Sequence, residues 1–136
     1  MDLGFIENKT YDEISVGDTA RTEHVLTTDD AMAFASISGF RSVLDPEELI
    51  DHAVSSMLPT GPNMWCASLI SGLFATSLPG PGCSLTNVTL EFHNLIRIGE
   101  RILVKVEVTA KDDSTKKVTF DCKAKNSAGT SIFSGT

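Results

Sequence analysis

The sequence predicts an α+β fold in which an antiparallel sheet wraps around one long central helix, and three features of the chain predict it. The stretch from Met64 to Ala75 carries apolar or small residues on every side, so as a helix it has to be enclosed. Beyond it the hydrophobic period changes to two: Ile102, Val104, Val106, Val108 and Ala110 alternate with Leu103, Lys105, Glu107, Thr109 and Lys111. Val118, Phe120, Cys122 and Ala124 repeat the alternation after an Asp112-Asp113-Ser114 turn, which gives neighbouring strands one buried face each. An enclosed helix beside a one-faced sheet is satisfied when the sheet curls round the helix.

Each element follows from local signals. Tyr11 to Asp18 reads as an arm closing in a Val16-Gly17-Asp18 turn, and Thr19 to Leu26 reads as a strand. Thr27-Thr28-Asp29-Asp30 supplies a capping hydroxyl and first-turn acids for a helix that runs through Met32, Phe34, Ala35 and Ile37 to Ser38-Gly39. Asp45-Pro46-Glu47-Glu48 places a cap, a proline and two acids at the start of a second helix reaching Ser55. Leu58 to Asn63 is a breaker cluster ahead of the enclosed helix, and Pro79-Gly80-Pro81-Gly82 stops that helix. Val88, Leu90 and Phe92 then alternate as a strand facing the core. Asn126-Ser127-Ala128-Gly129 turns the chain into a last strand from Thr130 to Phe133, completing a meander.

Composition narrows the function. A chain of 136 residues with 41% hydrophobic and 21% charged side chains fits one core, residues 1–136 as a single domain, without repeats or linkers. Eighteen Asp and Glu against eleven Lys and Arg leave a net charge of −7, which repels phosphate backbones and anionic lipid. No nucleic acid and no membrane partner is expected. The three cysteines Cys66, Cys83 and Cys122 show no C-x-x-C spacing and no histidine at ligand spacing. They imply a reducing, cytoplasmic setting and no metal site, with Cys66 and Cys122 as small buried hydrophobes. The acidic start Met1 to Glu7 lacks the basic residues of an export signal, and Met64 to Leu78 is too polar to span a bilayer. The sheet edge and the helix surface left uncovered predict a homodimer, with Ala67, Ser68, Ser71, Gly72 and Ala75 allowing close approach.

A sheet curled on a central helix is the hotdog arrangement, and from Tyr11 to Thr136 the chain resembles the MaoC-like hotdog family of (R)-specific enoyl-CoA hydratases. The matching pieces are Ile14-Ser15-Val16-Gly17-Asp18, the Thr27-Thr28-Asp29-Asp30 helix start with Phe34 to Gly39, Asp45-Pro46-Glu47, and Met64 to Ser71. Leu78-Pro79-Gly80-Pro81-Gly82, Leu90-Glu91-Phe92 and Ile98-Gly99-Glu100 continue them in order and spacing. The Pro-Gly-Pro-Gly segment and the Met-Trp helix start are similar in particular to hydratase-like domains fused ahead of phosphate acyltransferases. The resemblance implies an acyl-CoA or enoyl-CoA thioester ligand, hydro-lyase chemistry and no cofactor.

It also implies a site. Such hydratases use an Asp and a His from one loop, in a run like Ser-Gly-Asp-x-Asn-Pro-x-His, to hold and activate the water that adds across the double bond. A backbone N–H at the start of the central helix polarises the thioester carbonyl. Here Phe40 stands at the Asp position, and the His position is Asp45, or lies near Val43 if the run is aligned on Asp45-Pro46-Glu47. Neither register contains the Asp/His pair, so hydratase activity is expected to be reduced or absent. Where the family has His-Gly-Met, this chain has Thr60-Gly61-Pro62-Asn63-Met64, leaving the N–H of Gly61 or Asn63 to hold the carbonyl.

Substitutes are sparse. Glu48 and His52, four residues apart on the second helix, could form a relocated pair with Asp45 near it, though an ordinary surface pair is the commoner outcome at this spacing. Arg41 can meet a ligand phosphate or carboxylate, or simply bridge to Asp45 or Glu47. Phe40 fills the place of polar groups, while Met64 and Trp65 line an acyl tunnel or serve as plain core. His24 and His93 read as solvated or structural. Three functions therefore stand open: a thioester-handling domain without its catalytic pair, an active hydratase with a rebuilt site, and a structural or oligomerisation module. The last is suggested by a chain that stops at Ser134-Gly135-Thr136 in mid-strand, as if part of a longer polypeptide.

Overall fold

The computed structural model describes residues 8–37 and 60–136, with the backbone only for 60–62. The helix expected between Asp45 and Ser55 lies outside them. A short 3-10 turn, Tyr11–Glu13, precedes strand β1 (Thr19–Val25) and helix α1 (Thr28–Ile37). Helix α2 (Thr60–Thr76) is followed by strands β2 (Leu90–Phe92), β3 (Arg101–Asp112), β4 (Lys117–Asn126) and β5 (Ser131–Gly135). Among the described residues the five strands form one sheet, in the order β1-β3-β4-β5-β2, with every neighbouring pair antiparallel.

The predicted alternation sets the core. Ile102, Val104 and Val106 on β3 are fully buried, and Leu103, Lys105 and Glu107 between them face the other way. Register places Val106 opposite Cys122 and Val104 opposite Ala124, and Ala124 in turn faces Phe133 on β5. Helix α2 contributes Trp65, Cys66, Ile70 and Leu73 to this same cluster, together with Leu26, Ile96 and Ile132. Burial pushes the Cys66 thiol up to about 12. Burial, with Asp121 beside it, raises Cys122 to about 11, so both behave as apolar groups.

A second, smaller cluster of Ile14, Leu78 and Val108 fastens the N-terminal arm to the far end of the sheet. The arm is held by polar contacts as well. Lys9 N–H donates to the Pro79 carbonyl at 2.7 Å, and Lys111 Nζ donates to the Ile14 carbonyl at 2.6 Å. The Tyr11 ring has Lys111 Nζ at 4.2 Å and Lys116 Nζ at 4.8 Å from its centroid. Its hydroxyl donates to Asp113 at 2.6 Å, which raises the phenol to about 12. Gly17, at φ +98°, makes the turn that lets its N–H reach Val108 at 2.8 Å.

Two sequence expectations are corrected. Helix α2 begins at Thr60, within the supposed breaker cluster, because a proline in the first turn removes an N–H that has no partner there. Within one chain α2 keeps an open side, at the surface the sequence left uncovered: Met64 is 47% exposed, and Ser68, Ser71, Gly72 and Ala75 share that face. Val88 and Phe92 are 52% and 39% exposed where burial was expected. Period two shows which residues share a face, and β2, paired only to β5 at the sheet margin, has that face largely uncovered. No helix among the described residues is long and apolar enough to cross a membrane.

Truncating Phe133 to Ala is expected to lower unfolding free energy by about 3–5 kcal/mol in a urea melt, the usual cost of emptying an aromatic core position. Phe92→Ala, at the half-open margin, is expected to cost clearly less.

Candidate functional site

The start of α2 is where helix geometry leaves backbone donors free. A helix beginning at Thr60 has no intrahelical acceptor for the N–H groups of positions 59–62. Pro59 and Pro62 carry none, so Thr60 and Gly61 are the residues whose N–H groups have no intrahelical acceptor, and the N–H of Asn63 falls inside the helical ladder. The sequence left Gly61 and Asn63 as alternatives. Helical phase puts the Gly61 N–H ahead of the ladder and the Asn63 N–H within it, and the Asn63 side chain makes contacts of its own.

Asn63 is 7% exposed, a buried polar residue amid apolar core. Its Nδ2 donates to the Asn94 carbonyl at 3.2 Å, and its Oδ1 accepts the Ile96 N–H at 3.3 Å. Asn94 in turn donates through Nδ2 to the Ser131 carbonyl at 2.7 Å, and His93 N–H donates to the Ile132 carbonyl at 2.8 Å. The first turn of α2 is thereby tied to the segment leaving β2 and through it to β5. An amide can make this two-way contact because it carries a donor and an acceptor side by side.

Two residues further along, Trp65 is buried against the ring of His24, with centroids 5.5 Å apart and planes inclined at 60°. His24 Nε2 lies 3.2 Å from Asp30 Oδ2. Asp30 closes a reciprocal cap at the start of α1: Thr27 N–H donates to its carboxylate, and its own N–H donates to Thr27 Oγ1, both at 3.1 Å. Burial pushes the Asp30 carboxyl up, but the hydrogen bonds from Thr27 and the His24 ring outweigh it and hold the group below the usual carboxylate value. The chain Thr27, Asp30, His24, Trp65 thus joins the start of α1 to the start of α2 across the end of β1. The signal for it was in the sequence as Thr27-x-x-Asp30, but pairing with His24 and stacking on Trp65 depend on how the elements meet.

Of the residues singled out from sequence, Phe40, Arg41, Val43, Asp45, Glu48 and His52 lie outside the described residues. Gly61, Asn63, Met64 and Trp65 come together at the start of α2. Met64 faces outward, whereas Trp65 belongs to the core cluster. His93 reaches Ser134 Oγ at 2.9 Å across the β2–β5 pair and is exposed. All three cysteines are free.

The sheet order and the helix laid on its apolar face define an α+β domain of the hotdog-like class. Comparison with known proteins takes this further. No family model matches the chain. It is 31% identical over 116 residues to a 3-hydroxybutyryl-CoA dehydratase of Methylorubrum extorquens, covering 82% of this chain and 71% of that protein. It is 30% identical over 112 residues to an (R)-specific enoyl-CoA hydratase of Rhodospirillum rubrum, covering 81% and 76%. The unliganded R-hydratase PhaJ1 of Pseudomonas aeruginosa superposes with a TM-score of 0.79 at 28% identity, over 96% of this chain and 83% of that one. The chain belongs to the MaoC-like (R)-specific enoyl-CoA hydratase family.

Asn63→Ala is expected to leave the buried Ile96 N–H without an acceptor and to cost about 1–3 kcal/mol, read by denaturant titration. Because the Asp30 carboxyl is depressed in the fold, its contribution is complete above the ordinary carboxylate value of 3.8 and disappears as pH falls through its lower folded value. Thermal melts from about pH 5 to about pH 2 should therefore show a steeper acid loss in the parent than in Asp30→Asn. Equal slopes would remove Asp30 from the acid-sensitive set.

Proposed function

We propose that this chain is a single hotdog domain whose sheet curls around α2, and that it holds acyl-CoA thioesters with hydratase activity reduced or absent. The observation that carries this is the contrast between two parts of the site. The helix start leaves the N–H groups of Thr60 and Gly61 without an intrahelical acceptor, while the sequence ahead of it reads Phe40 and Asp45 or Val43 where the family has its Asp and His.

Hydration of an enoyl thioester requires a base to take a proton from water as its oxygen bonds to the β-carbon. The π electrons move toward the thioester carbonyl, and an acid then delivers a proton to the α-carbon. N–H groups at a helix start stabilise the charge on the carbonyl oxygen and also hold the ground-state carbonyl. With those donors kept and the acid/base pair absent, binding persists while water is neither positioned nor deprotonated. The curated relatives, named as a 3-hydroxybutyryl-CoA dehydratase and an (R)-specific enoyl-CoA hydratase, support the thioester as ligand class.

The working form in this proposal is a homodimer. The open face of α2 with Met64, and exposed Leu85, Val88, Phe92 and Leu95 around the β2 margin, form apolar surface suited to a second copy.

Hydration of crotonyl-CoA, followed as loss of conjugated thioester absorbance, is expected to show no enzymatic turnover, while titration with butyryl-CoA shows saturable binding. Turnover that disappears in His52→Ala would establish a rebuilt site instead. Absence of both turnover and binding would leave a structural module.

A further inference from the structure

Strand β1 is the margin of the sheet opposite β2, and its free edge carries a defined set of backbone groups. Val108 N–H donates to the Asp18 carbonyl at 2.8 Å, and Leu26 N–H donates to the Glu100 carbonyl at 3.0 Å. These two bonds fix the phase of the β1–β3 ladder, in which Ala20, Thr22 and His24 face Val106, Val104 and Ile102. The N–H and C=O groups of Thr19, Arg21, Glu23 and Val25 consequently point away from β3, and none has a partner among the described residues.

At the Thr19–Arg21 end this edge borders a cleft of about 230 Å³ lined by Lys9, Thr19, Ala20, Arg21, Ser77 and Leu78. It lies beyond the C-terminal end of α2. A helix of 17 residues is about 25 Å long, so the cleft is remote from the donors at Thr60 and Gly61. The volume is below the roughly 300–1,000 Å³ of sites for drug-sized ligands and suits a single side chain.

The charges around it are cationic. Arg21 has no ion-pair partner among the described residues, nor does Lys105 directly opposite it on β3. Lys123 continues the same cross-strand row, with Asp121 at 3.5 Å. Like charges side by side across strands work against the sheet, and an incoming carboxylate relieves that repulsion. Lys9 is held by Asp18 at 3.4 Å, and Glu23 by Arg101 at 3.6 Å, so the acid on the edge is already engaged.

We propose that the β1 edge is a docking strand for an extended acidic segment of a partner protein, which adds to the sheet beside Thr19–Val25 and places a carboxylate between Lys9 and Arg21. The unpaired edge supplies main-chain hydrogen bonds and the cleft supplies the side-chain pocket, the two components of recognition by strand addition. On a chain of net charge −7, the local cations determine where an acidic strand settles.

The test uses the intact chain and a fluorescein-labelled six-residue peptide of alternating valine and glutamate, with anisotropy as the readout. Saturable binding is expected. It should weaken about tenfold or more both for Arg21→Glu and for a peptide N-methylated at alternate residues, which keeps its charge and loses its strand donors. A valine–lysine peptide is expected not to bind. Far-UV circular dichroism checks that Arg21→Glu folds, and the N-methylated peptide needs no variant at all. Absence of binding, indifference to N-methylation, or equal loss on Lys125→Glu, an exposed position on β4 outside the cleft, would each overturn the proposal. So would an Arg21→Glu variant that changes the oligomeric state but not peptide affinity, since that assigns the edge to a second copy. None of these outcomes depends on thioester binding.

Discussion

The structure rests on the burial of one aliphatic ladder. Ile102, Val104 and Val106 project from alternate positions of β3, and α2 lays Trp65, Cys66, Ile70 and Leu73 on the same apolar face. Burying an aliphatic or aromatic side chain contributes about 1.5–3 kcal/mol, so this interface outweighs any single polar contact in the molecule. β3 is also the strand with the longest pairing, flanked by β1 on one side and β4 on the other. The other elements take their positions from it: β5 through Ala124 opposite Phe133, and the arm through Val108 against Ile14 and Leu78.

Hydrophobic burial is not directional, and two polar devices supply the precision that it lacks. The Asn63 amide fixes the first turn of α2 against residues 94–96. The Thr27–Asp30 cap, continued through His24 to Trp65, fixes the start of α1 relative to the same helix. Buried polar groups with satisfied partners specify one arrangement because displacement would leave them unpaired in a low-dielectric surrounding. Both devices converge on the start of α2.

The margins of the sheet have contrasting character. At β2 the exposed residues are apolar, with Val88, Phe92 and Leu95 around a short strand. At β1 the strand is seven residues long, and its outward side chains include Arg21 and Glu23. Apolar surface favours a self-complementary contact, whereas a charged edge with free backbone groups favours a partner of opposite sign.

Much of this was legible from the residues alone. Alternation located β3 and β4 to within a residue or so, and the Thr27-to-Asp30 run marked the start of α1, because those signals are local and repeat with the period of the backbone itself. The family motifs, ordered along nearly the whole chain, also pointed to the hydratase family. Whether α2 was covered on every side was not legible, nor which side of β2 faced solvent, since composition shows what a face is made of and not what lies against it. The same holds for Asn63, whose partners are 31 and 33 residues away, and for His24, whose contact with Trp65 joins distant parts of the chain. Sequence by itself determined the elements and the family through short-range periodicity and motif order; only the tertiary structure decided the order of the strands, which side chains are buried and which polar groups meet, because those depend on long-range packing.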